Sequence, residues 1–89
     1  MLVRVKTTPA GPIKLGFIVS KRLSLSAVTR NRARRRLREA ARLLLQAEPK
    51  LAESPLHMVI TAKSAALTMP LPELAADLRE NLKAQGAPC

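Results

Sequence analysis

Residues 30 to 42 read RNRARRRLREAAR and hold seven of the ten arginines in the chain. A guanidinium is a rigid, planar fork of donors that meets phosphate oxygens in pairs, whereas a lysine ammonium is a point charge. Arg30, Arg34, Arg38 and Arg42 recur at every fourth position. On a helix that spacing gives one row, rising roughly 6 Å per step, with Asn31 and Arg35 beside it. Like charges so placed repel by a few tenths of a kcal/mol per pair, and Glu39 is the one acid within the run. The row therefore costs stability until an anion binds, and the chemistry it suits is contact with a polyphosphate. A solvated helix face is the ordinary alternative, but such faces mix signs and favour Lys and Glu over an almost pure arginine row.

Residues able to make or break bonds are sparse by comparison. A protein nuclease needs paired carboxylates for two metal ions, or a histidine beside a second acid or base. Glu73, Asp77 and Glu80 fall on one side of a short amphipathic segment, where acids near a helix start are ordinary dipole partners. Glu48 and Glu53 belong to a loop, and His57 stands alone at the start of an apolar run. Gly11 and Gly16 are isolated and make no phosphate-binding loop, and no catalytic or metal-ligating set is expected. Cys89, the only cysteine, is the last residue, which excludes an intrachain disulfide or a CxxC site and suggests a frayed surface thiol.

Eighty-nine residues are enough for a single small domain spanning 1–89. Such a domain buries only about 60 to 65% of its extended-chain surface, so its core is thin. Sixteen Lys and Arg against six Asp and Glu leave a formal charge of +10, as expected of a protein that works against nucleic acid. A membrane-surface helix would carry Trp or Phe on its apolar side, where this chain has Ala and Leu. No stretch approaches the ~20 apolar residues needed to span a bilayer, and the N-terminus lacks the apolar centre of a signal peptide. The expectation is a cytoplasmic protein.

The elements that must carry the arginines can be read from periodicity. Ala33, Leu37, Ala40, Ala41 and Leu44 share one helical face, Ser26 or a neighbour can cap the start, and Pro49 marks the end, which predicts a helix over 27–47. Residues 1–6 alternate, with Val3 and Val5 on one side and Leu2, Arg4 and Lys6 on the other. The segment 7–12, TTPAGP, reads as a turn. Residues 13–20 form the strongest strand candidate, with Leu15, Phe17 and Val19 on one face and Ile18 on the other; 57–63 is a second β-branched run. Pro72 suits the first turn of a closing helix with the stripe Leu71, Leu74, Leu78 and Leu82, which Gly86 can stop. The order β-β-α-β-α predicts an α+β domain with its helices packed on a sheet of about three strands. One face of that sheet should stay poorly covered unless RNA or another protein lies on it.

The pairing of KLGFIVSKR with RNRARRRLREAARLL, followed by HMVITAK and an amphipathic helix, resembles the protein subunit of bacterial ribonuclease P from about residue 2 to residue 83. The resemblance implies a left-handed β-α-β crossover, against the usual preference. It also implies a small basic protein that binds a catalytic RNA and the 5′ leader of precursor tRNA. That protein assists 5′ maturation without performing the cleavage, while Mg2+ is held mainly by the RNA. Carried over by position, the RNA-binding residues are Arg30, Asn31 and Arg32 of the triplet, then Arg34, Arg35, Arg36 and Arg38, with Lys21 of the VSK segment; Arg42 extends the row. Arg and Lys serve phosphates, and Asn31 offers both donor and acceptor to a base edge, sugar or phosphate.

Members of that family usually open with a further helix and strand before the segment that matches Leu2, and aromatic residues there line the leader cleft. This sequence starts at that segment and has Phe17 as its one aromatic residue, so base stacking is expected to contribute little. The expectation is a shortened start, either truncated or compensated by RNA or another element. The competing class is a general nucleic-acid-binding module, such as a small ribosomal or DNA-binding protein, using the same helix in a groove.

Overall fold

The computed structural model describes residues 1–86. Three strands, β1 (Leu2–Thr7), β2 (Lys14–Ile18) and β3 (Leu56–Thr61), form one sheet in the order β1-β3-β2. β1 runs antiparallel to β3, with Val3 opposite Ile60; β2 runs parallel to β3, with Phe17 opposite Ile60. The parallel pair needs a long crossover. It is supplied by α1 (Ala27–Ala47) and a single turn, α2 (Pro49–Glu53). After β3 come another single turn, α3 (Ala65–Thr68), and the closing helix α4 (Leu71–Ala84).

α1 has the predicted limits for the predicted reasons. The Ser26 hydroxyl accepts a hydrogen bond from the Thr29 N–H at 3.3 Å, satisfying one of the orphan donors of the first turn. The helix stops one residue before Glu48, because Pro49 starts α2 in the position where its missing N–H costs nothing. Ala33, Leu37, Ala40, Ala41 and Leu44 are all buried. They meet Leu74, Leu78 and Leu82 of α4 and Val3, Met58 and Ile60 of the sheet in one hydrophobic cluster. Leu37 is fully buried, and its truncation to Ala would cost about 2 to 5 kcal/mol. Gly86 ends α4 with φ +81, the left-handed conformation that glycine adopts without strain.

The structure adds two single-turn helices, α2 and α3, that the periodicity of the sequence does not show. One turn is too short to show a period. α2 is held by the fully buried Leu51 and α3 by Ala66, each an isolated apolar anchor. The second strand is shorter than the predicted 13–20, although Ile13 and Val19 still pack against the core. Cys89 lies outside the described residues.

Two features fix how the sheet meets its surroundings. The Val5 N–H donates to Gln85 Oε1 at 3.1 Å, and Gln85 Nε2 donates to the Val3 carbonyl, so one carboxamide occupies the outer margin of β1. The helices and the core cover a single face of the sheet. The other face presents Arg4 and Lys6 from β1, Lys14 and Ile18 from β2, and His57 and Val59 from β3, and Ile18 is 50% exposed.

Candidate RNA-binding surfaces

A row at every fourth position does not stay on one side of a helix, because four residues turn it by about 400°, leaving a drift of about 40° per step. Arg30 and Arg34 consequently lie half-buried near the edge of the core, while Arg38 and Arg42 face solvent. The outward stripe of α1 is Asn31, Arg32, Arg35, Arg38 and Arg42, all exposed. The arginines do lie on α1, but the i, i+4 row winds around the helix and is not a flat strip.

Partners divide the arginines further. Arg36 Nε donates to the Ala66 carbonyl at 2.7 Å and its Nη2 to the Met69 carbonyl, so this guanidinium closes the C-terminal end of α3. Arg36 thus ties α1 to the segment before α4, a structural contact that its place among the expected RNA-binding residues does not foretell. Arg30 Nη1 donates to the carbonyls of Ser24 (3.0 Å) and Leu25 (3.1 Å), pinning the chain just ahead of the helix. Arg34 Nη1 donates to Asn31 Oδ1 at 3.2 Å. Arg42 pairs with Glu39, whose carboxyl is held below its ordinary range by that hydrogen bond; the carboxylate in turn raises the Arg42 guanidinium above its own. Arg32, Arg35 and Arg38 have no hydrogen bond or ion pair among the described residues, and Lys21, in the loop before α1, is exposed and likewise free.

The helix itself adds to this field. α1 has no acidic residue in its first turn, so the partial positive charge of its N-terminus is uncompensated and lies beside Arg30 and Arg32. Guanidinium forks on the outward stripe and free N–H groups at the helix start together suit a run of phosphates.

The open face of the sheet is a second cationic surface. Arg4, Lys6, Ile18, His57 and Val59 line a shallow cavity of about 280 Å³, and Lys14 stands opposite His57 in the parallel register. Gly16, opposite Val59 and between Lys14 and Ile18 along β2, puts no side chain on this face beside His57 and Val59. Sequence reasoning named the alternation of β1 but assigned no role to Arg4, Lys6 or Lys14; their grouping depends on strand register, which periodicity does not give.

Two of the remaining carboxylates are engaged away from both surfaces. Asp77 accepts from the Met1 amino group at 2.9 Å and Glu48 from Arg79 at 2.9 Å. Among the described residues no group of three or more His, Cys, Asp or Glu could hold a metal ion, and no helix is long and apolar enough to cross a membrane.

Comparison with known proteins agrees with this chemistry. The sequence profile of the family described as Ribonuclease P matches residues 1–85. The chain is 42% identical over 86 residues to the ribonuclease P protein component of Symbiobacterium thermophilum, covering 96% of this chain and 70% of that protein. It is 37% identical over 79 residues to that of Kocuria rhizophila, with coverages of 89% and 66%, and 39% identical over 92 residues to that of Ruegeria pomeroyi, with coverages of 99% and 70%. The chain therefore spans about two thirds of the length of these relatives. Among solved structures, the RNase P protein of Staphylococcus aureus shares the fold with a TM-score of 0.66 at 23% identity, over 96% of this chain and 73% of that one. These matches favour the first expectation over a general nucleic-acid-binding module.

Proposed function

The chain belongs to the ribonuclease P protein family, and from that membership we propose that it binds the catalytic RNA of ribonuclease P and helps it remove the 5′ leader of precursor tRNA. The observation that carries this reading is the set Arg32, Arg35 and Arg38: three exposed guanidiniums on one helix, with no hydrogen bond or ion pair among the described residues. On this reading the outward stripe of α1, with Lys21 ahead of it, takes the backbone of the catalytic RNA. The open face of the sheet takes the single-stranded leader, whose phosphates meet Arg4, Lys6 and Lys14 while its bases lie over Ile18 and Val59. Contacts of this kind are tolerant of sequence, which suits a subunit that must accept many leaders.

The chemical step belongs to the RNA in this proposal. The side chains of both surfaces are cations, an asparagine, a histidine and apolar groups, and the one carboxylate beside the outward stripe, Glu39, is held by Arg42. Such a donor set does not fit a magnesium ion, so the magnesium that cleavage requires is assigned to RNA phosphates. What the protein supplies is charge. Two RNAs brought together repel, and fixed arginines between them offset that repulsion, lowering the magnesium concentration at which the complex forms. The setting for this work is the cytoplasm.

The test is reconstitution with the cognate catalytic RNA. Arg35→Ala with Arg38→Ala should weaken binding of the protein to the RNA and impair precursor tRNA cleavage at limiting magnesium, with recovery at high magnesium. Unimpaired cleavage at limiting magnesium would count against the proposal.

A further inference from the structure

The outward stripe of α1 ends at its N-terminal tip in two apolar residues. Val28, in the first turn, lies three, four and seven residues before Asn31, Arg32 and Arg35 and so shares their side of the helix. It is 76% exposed, and Leu25, just ahead of the N-cap, is 84% exposed; Leu2 and Ile18, the other large exposed hydrophobics, reach only 46% and 50%.

This exposure is built in. A hydrophobic residue before an N-cap ordinarily packs on the fourth residue of the helix. Here that position is Arg30, which turns back to the Ser24 and Leu25 carbonyls and gives the Leu25 side chain no apolar partner. The segment is nevertheless fixed: the Ser26 N–H donates to Ser24 Oγ at 3.1 Å and the Thr29 N–H to Ser26 Oγ at 3.3 Å. Ordering it on binding would therefore cost little entropy.

Building on the RNA-binding reading above, we infer that Leu25 and Val28 pack against an unpaired or terminal nucleobase of the bound RNA. The surrounding charge selects the occupant. Arg32 lies one helical turn from Val28, Lys21 and Arg22 precede the tip by only a few residues along the chain, and the helix start lacks acids, so the field favours a polyanion and opposes a second copy of a chain whose formal charge is +10. Apolar side chains gain nothing from phosphate. The apolar surface that RNA offers is the face of a base, which is accessible in loops, bulges and helix ends. Methyl-bearing side chains can pack there as apolar wedges do in nucleic-acid grooves. The stripe thus has a direction, with backbone along the arginines and an exposed base at the tip.

The experiment is a titration of the cognate catalytic RNA with full-length Leu25→Ser/Val28→Ser protein across a salt series, beside Arg35→Ala/Arg38→Ala. The expected result is a roughly tenfold weaker affinity at every salt concentration, with the wild-type dependence on salt, because no phosphate contact is lost. The thermal midpoint should not fall, since both residues are exposed, and Leu25→Met/Val28→Ile should bind like wild type. The arginine variant should instead flatten the salt dependence. Wild-type affinity of the serine variant would overturn the inference, as would a weaker affinity accompanied by a flatter salt dependence. Full RNA affinity with loss of self-association in sedimentation would assign the tip to a second copy and overturn it too. If neither variant alters RNA binding, the failure lies with the RNA-binding reading itself.

Discussion

Two kinds of arginine occupy one short run. Arg30 and Arg36 reach backbone carbonyls within the protein, while Arg32, Arg35 and Arg38, on the same helix and within a few residues, have no partner among the described residues. Angle makes the difference. Arg36 sits beside the buried stripe and can bridge to α3, whereas Arg35 lies almost opposite the core. A positive charge in this run is thus part of the scaffold or part of the surface according to the side of the helix it occupies, and the scaffold arginines hold the surface ones in place.

The largest effect that tests this division is on stability. Arg36→Ala leaves the Ala66 and Met69 carbonyls without their donor, and should lower the unfolding free energy by about 2 to 3 kcal/mol in a denaturant titration. Its salt dependence of RNA binding, measured where the variant is folded, should match wild type. A flatter dependence would break the comparison by making Arg36 a phosphate ligand. Next comes Arg35→Ala with Arg38→Ala, which should leave stability within about 0.5 kcal/mol of wild type or raise it by relieving repulsion. The slope of log affinity against log salt should fall by roughly 0.7 to 0.9 for each phosphate contact removed.

Arg30→Ala should be smaller, about 1 kcal/mol of stability, because its Leu25 carbonyl partner lies at the surface, where water can replace the guanidinium. Smallest is Glu39→Gln. The carboxyl of Glu39 is held below its ordinary range by the Arg42 hydrogen bond, so any stabilisation it gives is present at neutral pH and fades as pH falls through that depressed value. Both partners are exposed, and the difference in thermal midpoint between wild type and Glu39→Gln should be slight at pH 7 and vanish in acid. The same substitution releases Arg42 to the outward stripe and should tighten RNA binding slightly.

Much of this was legible in the sequence where the signal was local. The limits of α1 follow from Ser26, the apolar spacing and Pro49, and the buried face of α4 from Leu74, Leu78 and Leu82. The roles of Arg30 and Arg36 were not. The partners of Arg36 lie 30 and 33 positions away, on a turn too short to show a period, and backbone carbonyls leave no mark in a sequence. The cationic face of the sheet was half legible: alternation put Arg4 and Lys6 on one side of β1, but only the order β1-β3-β2 brings Lys14 across from them.

Gln85 carries a consequence for behaviour at high concentration. Its carboxamide imitates the backbone of a neighbouring strand along Val3 and Val5, leaving that border of the sheet with fewer vacant pairing groups. The unpaired backbone groups that a strand of another chain would seek are thereby more numerous along β2 than along β1. A single carboxamide at the end of the last helix thus answers a donor and an acceptor of the first strand, joining the two ends of the chain.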